Sequence, residues 1–120
     1  SGYLMLAEQL YNNGTSFAEG WNFGPLDDDS RTVSWIIERM AEMRKDINWR
    51  CDEVPQLHEA NLLKLDSSKA RRQLNWQPVW RLQSALQKTL EWHEAWRNAE
   101  DMRAVSLVQI NDYLSSLQGD

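Results

Sequence analysis

A stretch in the second half of this 120-residue chain carries sequence signals for both ends of one short helix. It reads Leu-Asp-Ser-Ser-Lys-Ala-Arg-Arg-Gln-Leu-Asn-Trp-Gln-Pro over residues 65–78. Asp66, or Ser67 in its place, can accept hydrogen bonds from the free N–H groups of the first helical turn. Asn75 tolerates the left-handed conformation that ends many helices, and Pro78 prevents continuation. The sequence therefore predicts a helix that begins just after its capping residue and ends near residue 75.

Four further segments repeat apolar residues at the three- and four-residue spacing of a helix that packs on one face. They lie at residues 3–11, 33–43, 82–96 and 107–117. The last of them is preceded by Ser106-x-x-Gln109, which is the pattern of a capping box. This pattern predicts that the final helix begins at Ser106.

Short strands are predicted between the helices. Residues 20–25 alternate in bulk, with Trp21 and Phe23 on one side, and are bounded by glycine and proline. Residues 47–51 and 61–65 are candidates for a second and a third strand. The predicted fold is thus a helix-rich α/β fold, with about five helices and two or three short strands, in a single domain over residues 1–120.

Composition limits the classes of function. With 42% hydrophobic and 26% charged residues the chain is typical of a globular domain. A net charge of −5 argues against nucleic acid or an anionic membrane surface as a partner. The single Cys51 excludes an intramolecular disulfide, and no stretch resembles a signal peptide or a membrane span. These features predict a cytoplasmic protein.

The segment at 65–78 also carries a resemblance. Leu-Asp-x-Ser-Lys-Ala, then Leu-x-Trp-x-Pro, then a helix ending in aromatic residues resembles the C-terminal part of nucleotide-sugar epimerases and dehydratases, which are extended short-chain dehydrogenase/reductases. Stretches at residues 1–8, 19–25, 58–60 and 89–93 are similar to the CDP-glucose 4,6-dehydratase branch of this family. The resemblance implies the last third of such an enzyme, its substrate-binding portion. Since no initiator Met precedes Ser1, an excised fragment is favoured.

The resemblance implies an NAD-dependent lyase of bacterial deoxysugar and lipopolysaccharide biosynthesis as the parent enzyme. Dinucleotide binding in such folds needs closely spaced glycines in a strand-to-helix turn, and the glycines at 2, 14, 20, 24 and 119 do not form one. The family also uses a Tyr followed four residues later by Lys, and none of the tyrosines is followed in this way. No catalytic residue and no cofactor are therefore predicted for this chain, and NAD is assigned to the parent enzyme alone. Two histidines with one cysteine predict no metal site.

His58 and Glu59 are the predicted substrate-binding residues. The resemblance places them at the nucleotide end of the substrate cleft, where relatives use an acidic residue to accept hydrogen bonds from ribose hydroxyls. An ionised carboxylate accepts only, which suits a diol with two donors. Some relatives have arginines just afterwards that bind the diphosphate, where this chain has Ala60 and Asn61. A plain surface role for the pair stays open.

Two other functions stay open as well. The chain could belong to a UDP- or GDP-sugar enzyme of the same superfamily, or it could be a free-standing, non-catalytic helical module that binds a protein. Without a cofactor domain, its apolar surface is expected to remain exposed and to cause self-association. The seam of Leu107, Ile110, Leu114 and Leu117 is one candidate surface for this. Binding of a nucleotide sugar by the chain alone is expected to be weak or absent.

Overall fold

The computed structural model describes residues 1–50 and 65–117. This part of the chain contains five α-helices, as the sequence predicts. They are α1 (Gly2–Asn13), α2 (Val33–Met43), α3 (Ser68–Leu74), α4 (Leu82–Arg97) and α5 (Met102–Leu117). Two short 3₁₀ helices, Gly14–Phe17 and Asp27–Asp29, lie in the connections.

The structure differs from the sequence prediction in the short strands. The described ranges contain no strand, so the prediction for residues 20–25 is wrong. Residues 47–50, the described part of the second predicted strand, do not form a strand either. The alternation of Trp21 and Phe23 has another cause. Trp21 stacks on Phe17 at 5.8 Å between ring centroids, and Phe23 meets the Trp76 ring edge-on at 4.9 Å. Both side chains thus pack against helical segments and their connections. Residues 61–64 of the third predicted strand lie outside the described residues.

The two ends of α3 follow the sequence signals. The Oδ1 atom of Asp66 accepts a hydrogen bond from the Ser68 backbone N–H at 2.8 Å, which confirms Asp66 as the capping side chain. Hydrogen bonds from the Ser68 side chain and backbone lower the pKa of Asp66. Ser67 is the last residue before the helix and is buried. Asn75 ends the helix in the left-handed conformation, with φ 50° and ψ 33°.

The main hydrophobic core forms around α3. Ala70, Leu74 and Trp76 are buried, and partly buried side chains from α1 and from the connection after it surround them. The surrounding side chains are Met5, Leu6, Phe17, Trp21 and Phe23. The indole Nε1 of Trp76 donates a hydrogen bond to Ser1 Oγ at 3.0 Å, and Ser1 Oγ lies 2.7 Å from the Tyr113 hydroxyl oxygen. This hydrogen-bonded cluster joins the start of α1, the segment after α3, and α5.

The start of α4 depends on an aspartate distant in sequence. Asp29 accepts hydrogen bonds from Arg81 Nε at 2.7 Å, from the second guanidinium nitrogen at 3.0 Å, and from the Leu82 backbone N–H at 3.2 Å. The bond from Arg81 is the main cause that lowers the pKa of Asp29. One carboxylate therefore satisfies both a free N–H group of α4 and the adjacent cation.

The Asp29→Asn substitution is expected to lower stability at neutral pH and to have no effect at low pH. A carboxyl group whose pKa is depressed by folding stabilises the folded state above its unfolded-state value of about 3.9, and this contribution is lost as pH falls through the folded-state pKa. Urea titrations from pH 7 downward check this. Glu8→Gln, on the exposed side of α1, is the matched control and should give no such difference.

The start of α5 corrects the predicted capping box. The helix begins at Met102, and Asp101 Oδ1 accepts hydrogen bonds from the backbone N–H groups of Arg103 at 3.0 Å and Ala104 at 3.2 Å. Ser106 and Gln109 lie inside the helix and bind α4. The Trp92 indole donates to Ser106 Oγ at 3.1 Å, and Gln109 donates to the Lys88 carbonyl at 2.8 Å. The earlier aspartate caps the helix, which leaves both polar side chains free to bind α4.

Candidate functional site

The two predicted substrate-binding residues, His58 and Glu59, lie outside the described residues, so their assignment stays a prediction. The structure does describe the chain on either side of them, up to Arg50 and again from Leu65. The segment from Leu65 onward enters α3. The geometry of α3 and its contacts therefore shows how one end of the predicted substrate-binding segment is held.

Lys69 on α3 holds the segment that follows α1. Its Nζ lies 2.5 Å from a Glu19 carboxylate oxygen and donates a hydrogen bond to the Gly20 carbonyl at 3.0 Å. The same ammonium lies 4.3 Å from the centroid of the Trp21 ring, within the range of a cation–π interaction. We call these contacts, with Asn22 and Asp66, the α3 junction. Its lysine charge is neutralised by Glu19 and is not presented to a ligand.

Trp21 and Asn22 complete the α3 junction on the other side. The Trp21 indole donates a hydrogen bond to the Phe17 carbonyl at 3.0 Å, and the Asn22 side chain donates to the Asp66 carbonyl at 3.5 Å. These contacts give Trp21 a structural role. They also fix the backbone of Asp66, the residue that leads into α3.

Close packing at Gly24 makes the junction compact. A Cβ atom at Gly24 would lie 3.2 Å from the hydroxyl oxygen of Ser67, which is buried, and 3.4 Å from the Leu65 Cβ. Glycine here lets the extended connection pass directly over the start of α3. The small and polar residues at the start of α3 thus serve packing and capping.

The Lys69→Met substitution is expected to destabilise the fold by about 1 kcal/mol, because a partly exposed ion pair and a cation–π contact are each worth up to about that amount. Chemical denaturation followed by tryptophan fluorescence checks this. Lys45→Met changes an exposed lysine outside the junction and should leave the denaturation midpoint unchanged. Equal effects of the two substitutions would contradict a structural role for Lys69.

A cavity of about 460 Å³ opens between α1, α4 and α5. Its volume falls in the range of small-molecule pockets, and none of its lining side chains within residues 1–50 and 65–117 is charged. The lining residues are Ser1, Leu4, Trp80, Trp92, Ser106, Gln109, Ile110, Tyr113, Leu114 and Leu117. Among its polar groups, Ser1 Oγ bonds Tyr113 and Trp76, and Ser106 and Gln109 bond α4. The described part of the cavity lining thus offers a diphosphate no cationic side chain.

A second cavity, of about 730 Å³, lies beside the first along residues 75–81. Arg81 is the cationic side chain among the described residues of its lining, and both its Nε and a terminal nitrogen donate hydrogen bonds to the Asp29 carboxylate. Its charge is thus balanced before any ligand arrives. Within residues 1–50 and 65–117, no three His, Cys, Asp or Glu side chains are grouped so as to hold a metal ion. None of the helices in those ranges is both long enough and apolar enough to cross a bilayer.

The chain is 45% identical over 117 residues to the CDP-glucose 4,6-dehydratase of Salmonella typhimurium strain LT2. The aligned region covers 97% of this chain and 33% of that protein, so the chain spans about a third of the length of its relative. No protein-family model matches the chain. The comparison confirms the resemblance on which the sequence-based interpretation depends.

Proposed function

We propose that this chain is the nucleotide-sugar-binding, C-terminal segment of a CDP-glucose 4,6-dehydratase and is not catalytically competent alone. The observation that carries the proposal is the 45% identity over nearly the whole chain to an enzyme with that name. The aligned region covers only about a third of the relative's sequence. The other two thirds would supply the cofactor domain and the acid–base residues of the reaction.

The surface of α1 supports a role as part of a larger protein. Tyr3 and Tyr11 are 79% and 91% exposed, although large apolar side chains at helical spacing ordinarily face a packed neighbour. Exposed apolar area of this kind marks a surface that another protein segment covers. We assign this face of α1 to contact with the remaining two thirds of the parent enzyme.

The proposed division of labour follows from the residues present. In the parent enzyme a bound NAD would supply the oxidation and reduction chemistry that dehydration of the sugar requires. This chain contributes Glu59 as an acceptor for the ribose hydroxyls, with His58 beside it. The α3 junction anchors the C-terminal side of that segment. None of the five glycines forms a cofactor turn, so no step of the chemistry is assigned to this chain.

A chimera tests the proposal. This chain replaces the aligned third of the Salmonella enzyme, and dehydration of CDP-glucose, UDP-glucose and GDP-glucose is measured side by side. We expect activity on CDP-glucose and at least a tenfold lower kcat/KM for the other two, a difference of about 1.4 kcal/mol in transition-state binding. A folded chimera that is inactive on all three contradicts the proposal. Equal or higher activity on UDP- or GDP-glucose overturns the assignment to cytidine nucleotides.

The role of Glu59 is tested in the same chimera. Glu59→Gln retains size but removes the charge that strengthens hydrogen bonds from the ribose hydroxyls. We expect KM for CDP-glucose to rise several-fold with little change in kcat, because these bonds form equally in the ground state and the transition state. Glu38→Gln, on the exposed surface of α2, is the matched control. The same KM for both variants would leave Glu59 as a plain surface residue.

A further inference from the structure

Helix α5 carries apolar residues on two sides. One side carries the partly buried Met102 and Val105 together with Ser106 and Gln109, whose side chains form hydrogen bonds with α4. The other side is the α5 seam, in which Leu107, Ile110, Leu114 and Leu117 are each about half exposed, at 49%, 52%, 50% and 50%. A helix that is apolar on both sides is ordinarily covered on both. The α5 seam therefore needs an occupant.

The spacing within the seam indicates the kind of occupant. Steps of three, four and three residues are the a and d positions of two successive heptads, and such a seam is narrower than the face a helix turns toward a globular core. A narrow seam of this type is matched by one facing helix with the same spacing. Helix α5 of a second copy of this chain has that same spacing.

We propose that the α5 seam is an interface between two copies of this chain, formed by antiparallel pairing of α5 about a two-fold axis. In that arrangement Ile110 lies opposite Leu114 of the second copy, and Leu107 lies opposite Leu117. Each contact then occurs twice, as a two-fold interface requires. The inference does not depend on the proposed enzymatic function, because it uses only the geometry of α5.

The charges around the seam favour this occupant. Ser106, Asn111 and Tyr113 flank the seam and are uncharged, so two chains that each carry a net charge of −5 meet along a neutral strip. Arg103 stands four residues before Leu107, on the same stripe of the helix. Antiparallel pairing brings this cation to the C-terminal end of the second helix, where the helix dipole is negative. Parallel pairing would place the two Arg103 side chains together.

The cavity beside α5 supplies space for the second copy. Ile110, Leu114 and Leu117 form one wall of the 460 Å³ cavity, and Leu4 and Trp80 contribute to the rest. Leucine side chains of the second copy would enter this groove, whose described lining carries no charged side chain. The interface is therefore continuous from the seam into the cavity, and it leaves Tyr11 on α1 outside.

Sedimentation of the 120-residue chain over a range of concentrations up to tens of micromolar tests the interface, since a dimer must dissociate on dilution. We expect a discrete dimer, weakened at least tenfold by Leu114→Glu. Tyr11→Glu, which adds the same charge at a 91% exposed position of α1, should leave the dimer intact. If circular dichroism shows that Leu114→Glu does not fold, Leu107→Glu provides the same test outside the cavity. A monomer at all concentrations, or a dimer unaffected by substitutions in the seam, overturns the proposal.

The orientation is tested by disulfide trapping in a Cys51→Ser background, which removes the native thiol. A mixture of the Ile110→Cys and Leu114→Cys variants should form the mixed disulfide in preference to either symmetric one. Antiparallel helices bring these two positions together, whereas the symmetric pairs are farther apart. Preferential Ile110→Cys self-pairing would indicate parallel helices and overturn the antiparallel arrangement. A dimer would form in this test even if the chimera of the parent enzyme failed.

Discussion

Leu74→Ala is expected to lower the free energy of unfolding by about 2–5 kcal/mol, the usual cost of deleting a buried leucine side chain. Leu74 is 6% exposed and lies between Ala70 and Trp76 in the main core. The loss combines the transfer free energy of the missing methyl and methylene groups with the cavity that they leave. A urea titration that follows tryptophan fluorescence measures it.

The matched control for this prediction is Leu4→Ala, which deletes the same atoms at a position that is 77% exposed. Surface substitutions of this kind usually change stability by less than about 0.5 kcal/mol. Comparable losses at Leu74 and Leu4 would show that α3 is not the centre of the core. In that case the motif at residues 65–78 would not organise the fold as described.

Gly2→Ala is expected to destabilise the protein by about 1–3 kcal/mol, the cost of overpacking a filled site. Alanine is ordinarily the better helix former by about 1 kcal/mol, so the expected sign is the reverse of the usual one. The reason is the Phe23 ring. A Cβ atom at Gly2, which is buried in the first turn of α1, would lie 2.3 Å from one carbon of that ring and 2.4 Å from another.

Phe23 cannot move aside freely, because its ring contacts Tyr3 edge-on at 5.3 Å and Trp76 edge-on at 4.9 Å. Gly20→Ala is the matched control, since a Cβ atom there would meet nothing within 4 Å. Thermal unfolding of the two variants gives the comparison. A rise in the melting temperature for Gly2→Ala would mean that the ring relaxes at no cost and that α1 is held less tightly than the contacts indicate.

The local features of the fold could be predicted from the sequence. Both ends of α3 follow from single residues, Asp66 and Asn75, whose effect is confined to neighbouring backbone. The end of α1 also depends on a single residue, Gly14, which adopts a positive φ of 63°. Signals of this type depend on bonds within a few residues. They are therefore independent of how the rest of the chain folds.

The two errors have different causes. The strand pattern at residues 20–25 is a valid local pattern that tertiary contacts overrule, because Trp21 packs on Phe17 and Phe23 packs on the distant Trp76. At α5 a second local signal prevails. Asp101, five residues before Ser106, is also a favoured capping residue, and it accepts the hydrogen bonds of the first turn.

The contacts that hold the candidate site together could not be predicted, because they join residues distant in sequence. Lys69 meets Glu19 across 50 residues, and Arg81 meets Asp29 across 52. Charge and spacing along the chain carry no information about such pairs. The resemblance at residues 65–78 located the motif, but only the structure shows that its lysine is occupied within the protein. The substrate assignment of His58 and Glu59 remains a prediction from resemblance.

The hydrogen-bonded cluster at Ser1 has a consequence for folding kinetics. Its two bonds close chain segments of 75 and 112 residues, whereas α4 and α5 meet through contacts such as Trp92 to Ser106, only 14 residues apart. Closing a long loop costs more chain entropy than closing a short one, and contacts of high sequence separation slow folding. The α4–α5 hairpin should therefore form early, and the Ser1 cluster should form late. The Trp76 indole, as part of that cluster, would report the last step of folding.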